Sequence, residues 1–263
     1  MVTVGDICGY MDTAAPFYMK FDFDNIGLMV GDPSRPVTRA LCALDATEAV
    51  VAEAKAWGAE LIVTHHPLIF HPLKSLRADE AQGQKLMDLI RAGISVLSFH
   101  TNLDAAEGGV NDVLMAALGA EVTGLLDPHG AHPDGTPYGV ARLGELPEPM
   151  DFEAFLQRTK AVLRCEGLRY VGGGLVHRLA CCGGSGGGEL EAVLRAGCDT
   201  YVTADLKYDQ FLLAKEYGLN LIDGDHFCTE NLVVPAIKLR INEYFPEIQV
   251  IISQRHRQTV QFF

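Results

Sequence analysis

Six side chains in three short stretches are of the types that could do chemistry. Val63-Thr64-His65-His66-Pro67 places two adjacent imidazoles after an apolar run. Ser98-Phe99-His100-Thr101-Asn102-Leu103-Asp104 follows another apolar run with an imidazole and a carboxylate. Asp223-Gly224-Asp225-His226-Phe227-Cys228-Thr229-Glu230 supplies a third such pair, four residues apart. Neutral imidazole is the commonest metal ligand near neutral pH, and a hard carboxylate beside it suits Zn²⁺, Mn²⁺ or Fe²⁺. Each stretch alone has an ordinary alternative. A His-His pair at a strand end often packs or hydrogen-bonds, and Asp104 can cap a helix starting near Glu107. Adjacent histidines can also reach two ions or two faces of one cleft, and a glutamate such as Glu230 can bridge two cations. Three strand ends that together supply histidines and carboxylates define a candidate metal centre.

Those stretches must be brought together by the elements that precede them. Arg39–Asp45 reads as a buried strand, and Thr47–Trp57 as a helix with Thr47 as N-cap. Glu60–Thr64 is a second strand, Glu80–Ala92 a helix ended by Gly93, and Ile94–Phe99 a third strand. Strand–helix–strand repetition predicts an α/β fold with helices covering a parallel sheet. Parallel neighbours finish on the same side, so His100 and Asp104 would approach His65 and His66. The second half repeats this pattern, with strands at Arg178–Cys182, Thr200–Thr203 and Leu219–Ile222 and helices at Gly188–Ala196 and Tyr208–Tyr217. A shift of about 139 positions lays Gly58–Thr64 on Gly197–Thr203 and Cys42 on Cys181. The expectation is an internal duplication: two similar lobes, each a sheet flanked by helices, with a cleft between them. Residues 1–124 and 227–263 would form the first lobe and 125–226 the second. Gly124–Pro149 reads as the connection, with one strand at Tyr138–Leu143. Thr229–Tyr244 reads as one amphipathic helix, and Glu247–Ser253 as a last strand returning to the first lobe.

Composition narrows the function classes. The 263 residues are 48% hydrophobic, enough for a sizeable core, and the formal charge is -13. So acidic a chain lacks the basic footprint of a nucleic-acid binder, while its negative field favours cation uptake. The seven cysteines include no C-x-x-C pair and read as reduced, mostly buried thiols of a cytoplasmic protein. Neither a signal peptide nor an apolar run near the roughly 18 residues of a membrane span is present. Gly183-Gly184-Ser185-Gly186-Gly187-Gly188 follows a strand and opens a helix, where its amides could cradle an anion or simply turn the chain. Asp205 and Lys207 could line a cleft or begin a solvated helix.

Asp24-Asn25-Ile26-Gly27-Leu28-Met29-Val30-Gly31, Thr64-His65-His66-Pro67, His100-Thr101-Asn102-Leu103-Asp104 and His226…Thr229-Glu230 occur in a familiar order. From about residue 4 to the C-terminus the chain resembles the NGG-interacting-factor-three-like family, whose members are often named GTP cyclohydrolase I type 2 homologues. The resemblance implies a two-lobed α/β fold, a dinuclear centre in the interlobe cleft and commonly a ring-shaped homohexamer. It maps the metal ligands onto His65, His66, Asp104, His226 and Glu230, with His100 close by. Phe23 stands where the family has Trp, Ala204 and Asp225 where it has Gly, and Asp209 where it has His. Two divalent ions (Zn, Fe or Mn) would lower the pKa of a bound water and polarise a carbon or phosphorus centre. That implies a metal-dependent hydrolase acting on a small molecule, a nucleotide or phosphoester, with Glu230 and His100 as candidate catalytic groups. The contrasting expectation is a non-catalytic metal-binding, metal-delivery or adaptor protein.

Overall fold

The computed structural model describes residues 1–263. In chain order the elements are α1 (Val4–Ala14), β1 (Gly27–Val30), β2 (Arg39–Ala43), α2 (Glu48–Trp57), β3 (Leu61–Thr64), α3 (Ala81–Ala92), β4 (Ser95–Ser98), α4 (Thr101–Ala105) and α5 (Val110–Leu118). There follow β5 (Glu121–Leu126), a hairpin of β6 (Gly130–Ala131) and β7 (Pro137–Tyr138), β8 (Ala141–Asp151), α6 (Phe152–Leu163), β9 (Arg169–Val171) and β10 (Leu175–Cys181). The chain ends with α7 (Leu190–Ala196), β11 (Thr200–Thr203), α8 (Tyr208–Tyr217), β12 (Asn220–Asp223), α9 (His226–Glu230), α10 (Val233–Tyr244) and β13 (Gln249–Ile252). Two compact units result: Met1–Leu103 with Val234–Arg257, and Asp104–Val233 with Gln258–Phe263. Helix α5, which the sequence reading put in the first lobe, packs on α6 and β8 and so belongs to the second unit.

The first unit holds a five-stranded sheet in the order β1-β4-β3-β2-β13. Strands β13, β2, β3 and β4 are parallel and β1 is antiparallel to β4. Helices α2 and α3 close one face, burying Val50, Ala54, Leu86 and Leu89 against Leu41, Ile62 and Val96. Thr47 caps α2 as its sequence position suggested, accepting the Val50 amide at 3.3 Å.

The second unit holds a six-stranded sheet in the order β5-β8-β10-β11-β12-β9. Here β10, β11 and β12 are parallel, while β9, β8 and β5 run antiparallel to their neighbours. Alternation along the strands feeds two cores. Leu179, Cys181, Val202 and Ile222 pack with Leu114 and Phe155, whereas Ala180, Tyr201 and Leu221 pack with Leu190, Val193 and Ala214. A strand buried on both faces needs a continuous apolar run, which is why these segments are legible in the sequence. Each large aliphatic side chain so buried contributes about 2 kcal/mol of transfer free energy.

The duplication is visible element by element. The order α1-β1-β2-α2-β3-α3-β4 recurs as α6-β9-β10-α7-β11-α8-β12, with the leading strand antiparallel at the edge in both units. What differs is the strand outside the repeat: parallel β13 beside β2, but antiparallel β8 beside β10.

Two expectations are corrected. Gly124–Pro149 is no simple connection, because it contains most of the 11-residue β8, the longest strand of its sheet. Pro147 and Pro149 hide that strand in the sequence; they lie where its register with β10 shifts, between Val176 and Arg178. Thr229–Tyr244 is two helices, α9 and α10, broken at Asn231 and Leu232. Pro235 is the reason. It has no N–H to donate backward, so it is tolerated only in a first turn, and α10 starts at Val233. Helices α1 and α6 were not anticipated, although Thr3 and Asp6 form a capping box on α1.

Candidate metal centre

In the first unit the register Thr64↔Ser98 brings β3 and β4 to the same level, and the side chains beyond them converge. The ring centroids of His65, His66 and His100 lie 5.0, 5.3 and 5.7 Å apart. One ring nitrogen from each lies within 4.8 Å of the others. Every one of these imidazoles has its Nδ1 engaged. His65 Nδ1 is 2.9 Å from the Phe99 carbonyl, His66 Nδ1 2.8 Å from Asp45 Oδ1, and His100 Nδ1 2.8 Å from Asp24 Oδ1. Carbonyl and carboxylate oxygens only accept, so Nδ1 carries the proton and Nε2 the lone pair.

The backing carboxylates are themselves held. Asp24, buried between Phe23 and Asn25, also accepts from the Thr101 amide (3.0 Å) and hydroxyl (2.6 Å). Burial opposes its ionisation, but the bonds from His100 and Thr101 outweigh that and hold its carboxyl down at about 2. Asp45 sits just past β2 and takes His66 on one oxygen and His256 Nε2, at 3.1 Å, on the other. Burial again raises its pKa, and the two imidazoles more than reverse the effect, leaving it well below the usual carboxylate range. Aromatic rings continue outward from His100 through Phe70 (6.1 Å) to Phe23 (6.3 Å further), so Phe23 keeps the aromatic character of the position.

In the second unit β12 delivers His226 and Glu230 on α9. His226 Nδ1 lies 2.7 Å from Asp205 Oδ2 and its Nε2 3.0 Å from Glu230 Oε2. Burial disfavours the imidazolium, yet Glu230 and Asp205 prevail and push its pKa up to about 9. Asp205 thus backs an imidazole rather than opening a solvated helix; Lys207 does begin α8, its amide donating to Gln210 Oε1 at 2.8 Å. Asp225, at φ +68°, occupies a conformation that explains why glycine is usual there, and its carboxylate caps α9 at Cys228 N (3.1 Å). Ala204 is buried and Asp209 is exposed in the first turn of α8.

Asp104 does not cap the helix after it. It lies within α4, and α5 begins only at Val110 after Gly109. Asn111 Nδ2 donates to the Asp104 carbonyl (3.2 Å), and Asn111 Oδ1 accepts from Gly183 N (2.7 Å). Buried Arg142 binds Asp112 and the carbonyls of Ala105 (2.9 Å) and Ala106 (3.2 Å), fixing the end of α4. Sequence reasoning passed over Asn111, Arg142, Asp45 and His256. Asp45, as the carboxylate just past the β2 strand end, carried the one local signal that could have found it.

Three amides of the Gly-rich turn are committed within the protein, which favours the plain turn of the two readings for that stretch. The Gly183 amide goes to Asn111, the Gly184 amide to Thr229 Oγ1 (3.1 Å) and the Gly186 amide to Thr203 Oγ1 (3.0 Å). The turn also makes room. A Cβ on Gly184, at φ +63°, would stand 2.1 Å from Glu230 Oε1 and 3.2 Å from His226 Cε1.

Sheet-borne histidines backed by acceptors, on a duplicated α/β framework, define a protein class with a metal-ligating donor set. The model of the Duf34/NIF3 (NGG1p interacting factor 3) family matches residues 2–259, and the chain belongs to that family. A relative from Clostridium perfringens, named GTP cyclohydrolase 1 type 2 homolog, is 34% identical over 98% of this chain and 99% of its own. Among solved structures, a Bacillus cereus protein related to NIF3 matches with TM-score 0.94 at 26% identity, covering 100% and 99% of the two chains. A Staphylococcus aureus hypothetical protein, SA1388, matches at 0.92 and 29%, over 99% of each. No helix is long and apolar enough to cross a membrane.

Proposed function

We propose that this chain binds two divalent cations through His65, His66, Asp104, His226 and Glu230, with His100 beside them. In this reading the loaded protein is a metal-dependent hydrolase of a nucleotide or phosphoester. One observation carries it: His65 and His66 each have Nδ1 held by an oxygen acceptor, which leaves Nε2 as the nitrogen for a metal, while His226, its Nδ1 on Asp205, would exchange its Nε2 contact with Glu230 for the ion. Histidine ligands almost always carry such a backing partner, whereas packing alone does not require one for every ring. The donor set of imidazoles and carboxylates suits Zn²⁺, Fe²⁺ or Mn²⁺. Bound there, such ions would lower the pKa of water and polarise an electrophilic carbon or phosphorus.

The chain's own groups supply the rest. Glu230, buried on α9, would orient the attacking water and accept its proton. His100, its tautomer set by Asp24, would donate or accept a proton at Nε2. The nucleotide substrate is suggested by the name of the Clostridium relative. No guanine-reading motif marks the sequence, so the hydrolase class is the level at which the proposal stands. A cytoplasmic homohexamer belongs to the same proposal through the family likeness; a monomer's mass by light scattering would remove the hexamer.

The test is reconstitution with Zn²⁺, Mn²⁺ or Fe²⁺, elemental analysis, and a screen over GTP, cyclic nucleotides and phosphoesters, run beside His66→Ala and Glu230→Ala. About two metal equivalents are expected in the wild type and fewer in each variant. Activity that persists in both variants refutes the mechanism, and unchanged metal content refutes the ligand set. A fully loaded wild type that turns over nothing points to the metal-carrier alternative.

A further inference from the structure

Beyond β13 the chain makes a tight turn over Ser253–His256, and Glu53 on α2 gathers it. Glu53 Oε2 accepts from the Ser253 hydroxyl (2.5 Å) and the Arg255 amide (3.2 Å), and Oε1 from the Gln254 amide (2.9 Å). Ser253 Oγ in turn accepts the Arg255 amide (3.2 Å) and the His256 amide (3.1 Å). The His256 side chain is thereby set in place, only 7% exposed, with Nε2 3.1 Å from Asp45 Oδ2. The other oxygen of Asp45 backs His66. One carboxylate is shared between an imidazole of the C-terminal segment and a candidate ligand.

We propose that His256 is a positioning residue for His66, acting through Asp45 and held in place by Glu53. The inference rests on the proposed role of His66 as a metal ligand. Asp45 is 41% exposed at its side chain, so a single bond to His66 would leave its carboxylate free to rotate toward water. A second donor on Oδ2 fixes the carboxylate plane, and with it the direction along which His66 Nδ1–H must point. Rotation has a competitor as well as water, because the Lys85 ammonium lies nearby, donating to the Ala46 carbonyl at 3.2 Å. Glu53 spends its acceptors on three donors of one short turn, an investment that places a buried imidazole rather than an apolar plug.

The test uses the full chain and Co²⁺. Affinity is read by competition with a chromophoric chelator, and ligand geometry by the visible absorption of the bound ion. Asp45→Ala is expected to weaken binding about 10–100-fold, the usual effect of losing a partner that orients a ligand. His256→Ala should weaken it about 3–10-fold and shift the visible bands, a smaller effect because Asp45 remains. His256→Gln, whose amide can donate to Oδ2, should recover most of the loss. In the Asp45→Ala background, His256→Ala should add nothing. Wild-type affinity in His256→Ala, or effects that multiply in the double variant, overturns the proposal. Should His256→Ala fail to fold, hydrogen exchange in the wild type decides. Coupling is reciprocal, so Co²⁺ must slow exchange of the Arg255 and His256 amides; unchanged exchange overturns the inference. A wild type that takes up no Co²⁺ overturns both this and the ligand set. Binding that needs His66 and ignores His256 overturns this alone.

Discussion

Asp24→Asn isolates one backing carboxylate. The wild-type side chain is fully buried and accepts from Asn25 N, His100 Nδ1, Thr101 N and Thr101 Oγ1, at 2.6–3.0 Å. An amide has one oxygen to offer, so its NH₂ must face at least one of these donors. Bonds to a buried charge are worth about 1.5–3 kcal/mol each, so the variant should be about 2–4 kcal/mol less stable at pH 7. The pH dependence gives the sharper figure. The folded-state pKa, at about 2, lies below the unfolded 3.8. Ionised Asp24 therefore stabilises the fold fully above pH 5, and the contribution is lost as pH falls through 4 to 2. Linkage converts the shift to about 1 kcal/mol lost by pH 3 and about 2 by pH 2. The variant lacks this group, so the wild-type advantage must shrink by those amounts on acidification. Urea titrations can follow it at Trp57, the one tryptophan, which lies on α2 in the same unit as Asp24. A gap that stays constant from pH 7 to pH 2 would refute the reasoning.

Three other outcomes follow from the geometry. Gly184→Ala drives a methyl into Glu230 Oε1 from a left-handed backbone, so it should cost about 1–2 kcal/mol and strip metal from a folded protein; full occupancy by elemental analysis contradicts this. At Asp225, the Gly variant loses the α9 cap but relieves the strain, while the Ala variant keeps the strain and loses the cap. Asp225→Gly should therefore melt above Asp225→Ala by about 1 kcal/mol, and the reverse order rejects the strained reading. Arg142→Met leaves half-buried Asp112 and the carbonyls of Ala105, Ala106 and Gly139 without their cation, a loss of about 2–4 kcal/mol that chemical denaturation would register.

Much of this was legible in the sequence because β2, β3, β4, β11 and β12 are short, apolar and punctuated by helices. Their ends named the imidazoles directly. The partners of those imidazoles were not legible, since a carboxylate 76 positions away (Asp24 to His100) or 21 away (Asp45 to His66, Asp205 to His226) leaves no local pattern. The Gly183–Gly188 turn stayed open between two readings for a different reason. Glycine suits an anion cradle and a close side-chain approach equally, and only the amide partners separate the two. The α9–α10 break was visible after all, in Pro235, but a helical apolar period running across it concealed the stop.

The pairing of β13 with β2 has a consequence for biogenesis. Strand β2 presents an open edge at residues 39–42 until Gln249–Ile252 arrive to cover it, and Glu53 must wait 200 positions for Ser253. The second unit, by contrast, is nearly continuous from Asp104 to Val233. During translation it can close while the first unit is still missing its last strand, inverting the usual order in which N-terminal regions fold first. The pairing of β13 with β2, among the most non-local in the chain, can thus form only after the second unit has been made. A nascent chain halted before Gln249 would hold a nearly complete second unit and an unfinished first one with an exposed sheet edge, which is the species most in need of a chaperone.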